Sequence, residues 1–154
     1  MMENIKEIPY GIANFVEVAE QNMYYVDKTM YLPLLEKQPR NLFFIRPRRF
    51  GKTLNMDMLR TYFERSDKDT SVYFRDKKIW SCGQKYRDYQ GRYPVIFLTF
   101  KDVKFDTWEE TFAALRDIFA KEAQRHKELQ SSEKCDGYSR KVYERLVNGS
   151  ATEV

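Results

Sequence analysis

Gly51-Lys52-Thr53 is the triplet in this chain best suited to chemistry on an anion. A glycine can turn the backbone so that amide N–H groups and the positive end of a following helix face a phosphate. The lysine ammonium can then reach the outer phosphates, and the threonine hydroxyl can ligate Mg2+. The triplet alone is a common accident, so its surroundings must carry the argument. The apolar run Leu42-Phe43-Phe44-Ile45 precedes it, and Leu54, Met58, Leu59, Tyr62 and Phe63 follow at helical spacing. Strand, loop and helix in that order are how a phosphate-binding loop is built. The general pattern G-x-x-x-x-G-K-[ST] asks for glycine at position 46, where this chain has Arg46. In the resulting assignment Arg46, Pro47, Arg48, Arg49 and Phe50 shape the loop and Gly51 admits the phosphate. Lys52 neutralises it, Thr53 holds the metal, and Leu54 continues into the helix. The competing reading is a basic surface turn closed by Gly51.

The rest of the chain supplies elements to hold such a loop. Tyr24-Tyr25-Val26 reads as a short strand, after which Asp27 or Thr29 caps a helix over Met30 to Lys37 that tolerates Pro33 in its first turn. A helix follows from about Thr53 to Glu64, then an irregular stretch over 65–90. Val95 to Phe100 is apolar without alternation, as a strand buried on both faces would be, and is expected to pair beside the loop strand. Thr107-Trp108-Glu109-Glu110 has capping-box spacing. The helix after it places Trp108, Phe112, Leu115, Ile118 and Phe119 on one face and Arg116, Lys121 and Glu122 off it. His126 is assigned to the surface. A polar linker over 128–137 leads to a last helix, Tyr138 to Val147, closed by Asn148-Gly149. Asp102 follows the second expected strand too late for a metal-holding carboxylate and reads as a turn or N-cap aspartate.

Composition bounds the class. A net charge of +4 from 27 basic and 23 acidic residues is a modest excess that does not by itself indicate nucleic acid. The dense basic cluster, Arg46, Arg48, Arg49 and Lys52, is better matched to a triphosphate than to a polynucleotide. Cys82 and Cys135 lack metal-site spacing and fit a reducing cytoplasm. The N-terminal residues lack a signal-peptide core, and no run reaches membrane-spanning length. Eleven Tyr and eleven Phe place much amphipathic aromatic surface at the rim of any core.

Four segments resemble the AAA-ATPase-like proteins of bacteria. They are Ile8-Pro9-Tyr10-Gly11-Ile12, Tyr24-Tyr25-Val26-Asp27-Lys28-Thr29, Phe44 to Leu54, and Tyr93-Pro94-Val95-Ile96-Phe97-Leu98. In that family the loop reads Arg-Pro-Arg-Arg-Phe-Gly-Lys-Ser/Thr, so Arg46 is the family's own variant. The resemblance implies a P-loop NTPase core, often followed by a PD-(D/E)XK nuclease-like domain, with the Walker B strand beyond the region equivalent to residue 154.

The expectation is therefore an α/β fold of the P-loop NTPase type, a three-layer α/β/α arrangement with a mainly parallel sheet, incomplete in this chain. Residues 1–154 would form its N-terminal part: 1–40 precede the loop strand, and 41–154 hold that strand, its helix, a second strand and covering helices. The expected ligands are ATP and Mg2+, with hydrolysis requiring a Walker B segment from elsewhere and an oligomer allowed. Two alternatives stay open: a nucleic-acid-associated module using the basic loop, and an interaction domain without a ligand.

Overall fold

The computed structural model describes residues 5–45, 47 and 50–151. They divide into two compact units, Met1–Val95 and Ile96–Val154.

In the first unit, α1 (Phe15–Glu20) begins where the Asn14 side chain accepts the Glu17 N–H at 3.1 Å. Next come α2 (Tyr31–Glu36) and the twelve-residue α3 (Lys52–Phe63), then single 3-10 turns at Thr70–Tyr73 and Lys78–Ser81, and α4 (Gln84–Tyr89). Aromatic and aliphatic side chains from nearly all of these meet in one core of Phe15, Leu32, Met58, Tyr62, Phe74 and Ile79. Phe15 stacks on Phe74 with centroids 5.1 Å apart, and Tyr62 meets Phe74 edge-on at the same separation. Offset and edge-to-face contacts of this kind add to the area that rings remove from water. A buried carboxylate ties α1 to α3: Asp57 accepts the Phe15 N–H at 2.7 Å and pairs with Arg60 at 2.9 Å.

In the second unit, α5 (Trp108–Arg125) packs on α6 (Gly137–Val147). Thr107 caps α5 by accepting the Glu110 N–H at 3.3 Å, and its hydroxyl donates to the Glu110 carboxylate at 2.8 Å. The box thus closes side chain to side chain. At the other end the Tyr143 hydroxyl lies 2.9 and 3.1 Å from the carbonyls of Ala123 and His126, which also accept the His126 and Leu129 N–H groups. Asp136 caps α6 through the Ser139 N–H at 2.7 Å.

The expected three-layer α/β/α architecture with a mainly parallel sheet is not what forms. The described residues are helical, joined by extended chain, with one isolated parallel bridge between Glu64 and Tyr93. Neither Leu42–Ile45 nor 95–100 is a strand, and Tyr24–Val26 is not one either. A helix satisfies its backbone within itself, whereas a strand needs lateral neighbours. Where the chain does turn back on α3, it pairs earlier than expected: Gly91 donates to Tyr62 O and Tyr93 to Phe63 O, at 2.8 and 2.9 Å. Without neighbours the apolar runs stay open, with Phe43 95% and Ile45 87% exposed. The stretch 65–90 is more regular than its mixed composition suggested, because Asp69 caps a 3-10 turn through the Ser71 N–H and Gln84–Tyr89 is helical. The polar segment 128–137 likewise starts within a 3-10 turn, Lys127–Leu129.

His126 and Glu122 also depart from expectation. Both are 8% exposed, Glu122 in the last turns of α5 and His126 at its C-cap. Glu122 accepts the Phe97 N–H at 2.8 Å, pairs with Arg125 at 2.8 Å and faces the His126 ring at 3.4 Å, while the other His126 nitrogen lies 3.2 Å from Glu128. A charge on the polar side of a helical wheel is drawn inward here because a backbone donor, the Arg125 guanidinium and the His126 ring meet it. Burial works to raise the Glu122 pKa, but the Phe97 N–H, Arg125 and His126 outweigh it and hold the carboxyl below its usual range. A group depressed in the folded state stabilises above its unfolded pKa, about 4.3, and that contribution is lost as pH falls through the folded value. Glu122→Gln should thus destabilise this unit by about 1 kcal/mol at pH 7, with the gap from the parent closing below about pH 4. Urea melts followed by the Trp108 signal test this; a gap unchanged between pH 7 and pH 3 would contradict it.

Candidate functional site

Gly51 is the residue on which α3 starts. Its φ of 69° and ψ of 23° lie in the left-handed region, and no side chain caps the first turn behind it. Non-glycine residues pay about 1 kcal/mol or more for that conformation, which accounts for glycine here. The first amides of α3 are therefore left pointing out of the helix end, where the helix dipole also favours an anion. Lys52 and Thr53, the next two residues, are both exposed. Leu54 packs in part against the core.

The opposite wall comes from a distant part of the sequence. Ile8, Pro9, Tyr10, Gly11, Ile12 and Ala13 face Pro47 and Gly51 to Leu54 across a cleft of about 630 Å3. Ligand clefts fall in the range of roughly 300–1,000 Å3, so the space suits a nucleotide. Tyr10 is 86% and Ile8 78% exposed, so this wall offers open apolar surface. It is held in place by α1 directly after it, through the Phe15 ring in the core and the Phe15 N–H on Asp57.

Of the residues assigned from sequence, Pro47, Gly51, Lys52, Thr53 and Leu54 all border this cleft. Phe50 is 62% exposed beside it in sequence. Arg46, Arg48 and Arg49 lie outside the described residues. Asp102 sits exposed in the turn closed by the Val103 N–H on Phe100 O, as a turn aspartate would.

Sequence reasoning missed two features. One is the Ile8–Ala13 wall, whose segment was noted only for its family resemblance. The other is Lys28: a Cβ built on Gly51 would stand 3.6 Å from the Lys28 ammonium. No spacing rule connects residues 28 and 51, and only the Asp27-Lys28-Thr29 motif hinted at a role.

A family model described as a predicted AAA-ATPase matches residues 9–153. The chain belongs to the AAA-ATPase-like family. A curated relative of this AAA-ATPase-like chain is the "uncharacterized protein in vnfD 5′ region" of Azotobacter chroococcum mcd 1, 34% identical over 96 residues. The match covers 62% of this chain and 17% of that protein, so the chain spans about one sixth of the relative's length. No solved structure matches the chain. Membership of the AAA-ATPase-like family supports the resemblance read from the four segments. Among the described residues, no helix is long and apolar enough to cross a membrane.

As for Mg2+, no group of three or more His, Cys, Asp or Glu side chains gathers among the described residues. Mg2+ commonly keeps its waters and is held by substrate phosphates with few protein oxygens. The exposed Thr53 in the first turn of α3 could give such an ion one hydroxyl ligand.

Gly51→Ala probes the turn itself. We expect it to cost about 1 kcal/mol in stability from the left-handed φ and to bring a methyl against the Lys28 ammonium, weakening any anion bound between them. Urea denaturation and nucleotide titration measure the two effects separately. A variant as stable as the parent would mean that the φ of Gly51 is not required.

Proposed function

We infer that this chain binds a purine nucleoside triphosphate, ATP in the first instance, as its Mg2+ complex, in the cleft between Ile8–Ala13 and the first turn of α3. The observation that carries this reading is the convergence of a glycine-turned helix start, an exposed lysine and threonine, and an apolar wall around one space of nucleotide size. The α3 amides and Lys52 meet the phosphates, Thr53 contributes a hydroxyl to Mg2+, and the flat apolar surface around Tyr10 receives the base. Mg2+ would supply charge neutralisation between the outer phosphates. Family membership as an AAA-ATPase-like chain supports a nucleotide over other anions. Turnover would further need a carboxylate to orient water, and no described residue takes that part, so the function assigned is binding.

Isothermal titration with Mg·ATP, with Mg·GTP and with a single-stranded oligonucleotide tests the reading. Saturable binding of a nucleotide supports it. Binding of the oligonucleotide alone, falling steeply with added salt, would instead favour the nucleic-acid alternative.

A further inference from the structure

We propose that Lys28, which stands beside Gly51 and outside the cleft lining itself, is a second phosphate-binding cation for a polyphosphate held at this cleft. This rests on the nucleotide reading and extends it from one ammonium to two. The geometry that carries it is the approach of the Lys28 ammonium to Gly51, 3.6 Å from the point where any other residue would place a Cβ. A side chain at position 51 would therefore be in van der Waals contact with this cation.

The turn that presents Lys28 is fixed on both flanks. Asp27 accepts the Thr29 N–H and hydroxyl on one carboxylate oxygen, at 2.9 and 2.7 Å, and the Lys78 N–H on the other at 2.8 Å. Burial opposes ionisation of Asp27, yet these donors and nearby Lys77 keep its carboxyl below the usual range. Thr29 is fully buried, and its hydroxyl accepts the Ile79 N–H at 3.2 Å. The acid next to Lys28 is thereby committed to the backbone. Neither Lys28 nor Lys52 forms an ion pair with a carboxylate among the described residues. Two such ammonium groups beside a helix start raise the local positive potential. An anion there relieves that potential, and a polyphosphate has enough charged oxygens to meet both cations and the helix amides together.

The test is Lys28→Met, which keeps the length and removes the charge, compared with Lys28→Arg and with Lys52→Ala. Titration should show Mg·ATP affinity falling about tenfold in Lys28→Met and largely recovered in Lys28→Arg, the worth of one charge-assisted contact. Binding of adenosine, followed by ligand-observed NMR, should not change, and the melting temperature without nucleotide should be no lower than the parent's. Retained ATP affinity in Lys28→Met, alongside its loss in Lys52→Ala, would overturn the role of Lys28 and leave the nucleotide reading standing. Equal losses of ATP and adenosine with a lowered melting temperature would show a structural lysine and also overturn it. A parent chain that binds no Mg·ATP would remove both readings.

Discussion

Lys52→Ala should weaken Mg·ATP binding about 10- to 100-fold, the range expected when a charged donor to a phosphate is lost, and leave the fold almost unchanged. The side chain is exposed in the first turn of α3 and forms no ion pair with a described carboxylate, so nothing in the core depends on its charge. Alanine is also the better helix former. The variant thus separates the site from the scaffold in a way that few loop substitutions can. Titration gives the affinity, and circular dichroism with a urea melt checks the fold. Unaltered affinity in a chain that does bind ATP would move the phosphates away from α3 and disqualify the cleft.

Phe15→Ala is expected to be the most damaging single change to the first unit, at about 3–5 kcal/mol. The ring is fully buried, stacked on Phe74 and edge-on to Tyr25 at 5.3 Å, so its removal opens a cavity between three elements. Domains of this size commonly have only about 5–15 kcal/mol in hand, so the loss removes a large share of that stability and should lower the urea midpoint steeply. Because Phe15 lies two residues after the Ile8–Ala13 wall, binding should weaken with the fold, and excess Mg·ATP should recover part of the lost stability by mass action. Urea denaturation with and without nucleotide measures both effects. A loss below about 1 kcal/mol would mean that α1 is not anchored through this ring.

The two variants also show how far the sequence could be read. Helices announced themselves, because spacing and caps are local: α3 starts within one residue of the expected Thr53, and α5 and α6 begin within a residue of the positions that Thr107 and the polar linker implied. The short α1 escaped notice although Asn14 and Glu17 stand at the spacing that was accepted for Thr107 and Glu110. Six residues leave too little periodicity to mark a helix on their own. The strands failed for a different reason. An uninterrupted apolar run such as Leu42–Ile45 states that the segment would be stable if covered, and says nothing of whether neighbours exist to cover it. Glu122 and His126 show the same limit: Glu122 lies off the apolar stripe and His126 was expected at the surface, yet both are buried, because the Phe97 N–H and Arg125 meet the Glu122 carboxylate and the Glu128 carboxylate meets the His126 ring.

By itself, then, the sequence determined the family, through four separate segments, and the helix from about Thr53 with Gly51, Lys52 and Thr53 at its start, since a helix and its first turn depend on residues within a few positions of one another. Tertiary structure alone decided that Ile8–Ala13 would face that start across a cleft, that Lys28 would come up to Gly51, and that no described apolar run would pair into a sheet. Those outcomes depend on which distant surfaces meet when the core around Phe15, Met58 and Tyr62 closes, and contacts of that kind leave no periodic trace along the chain.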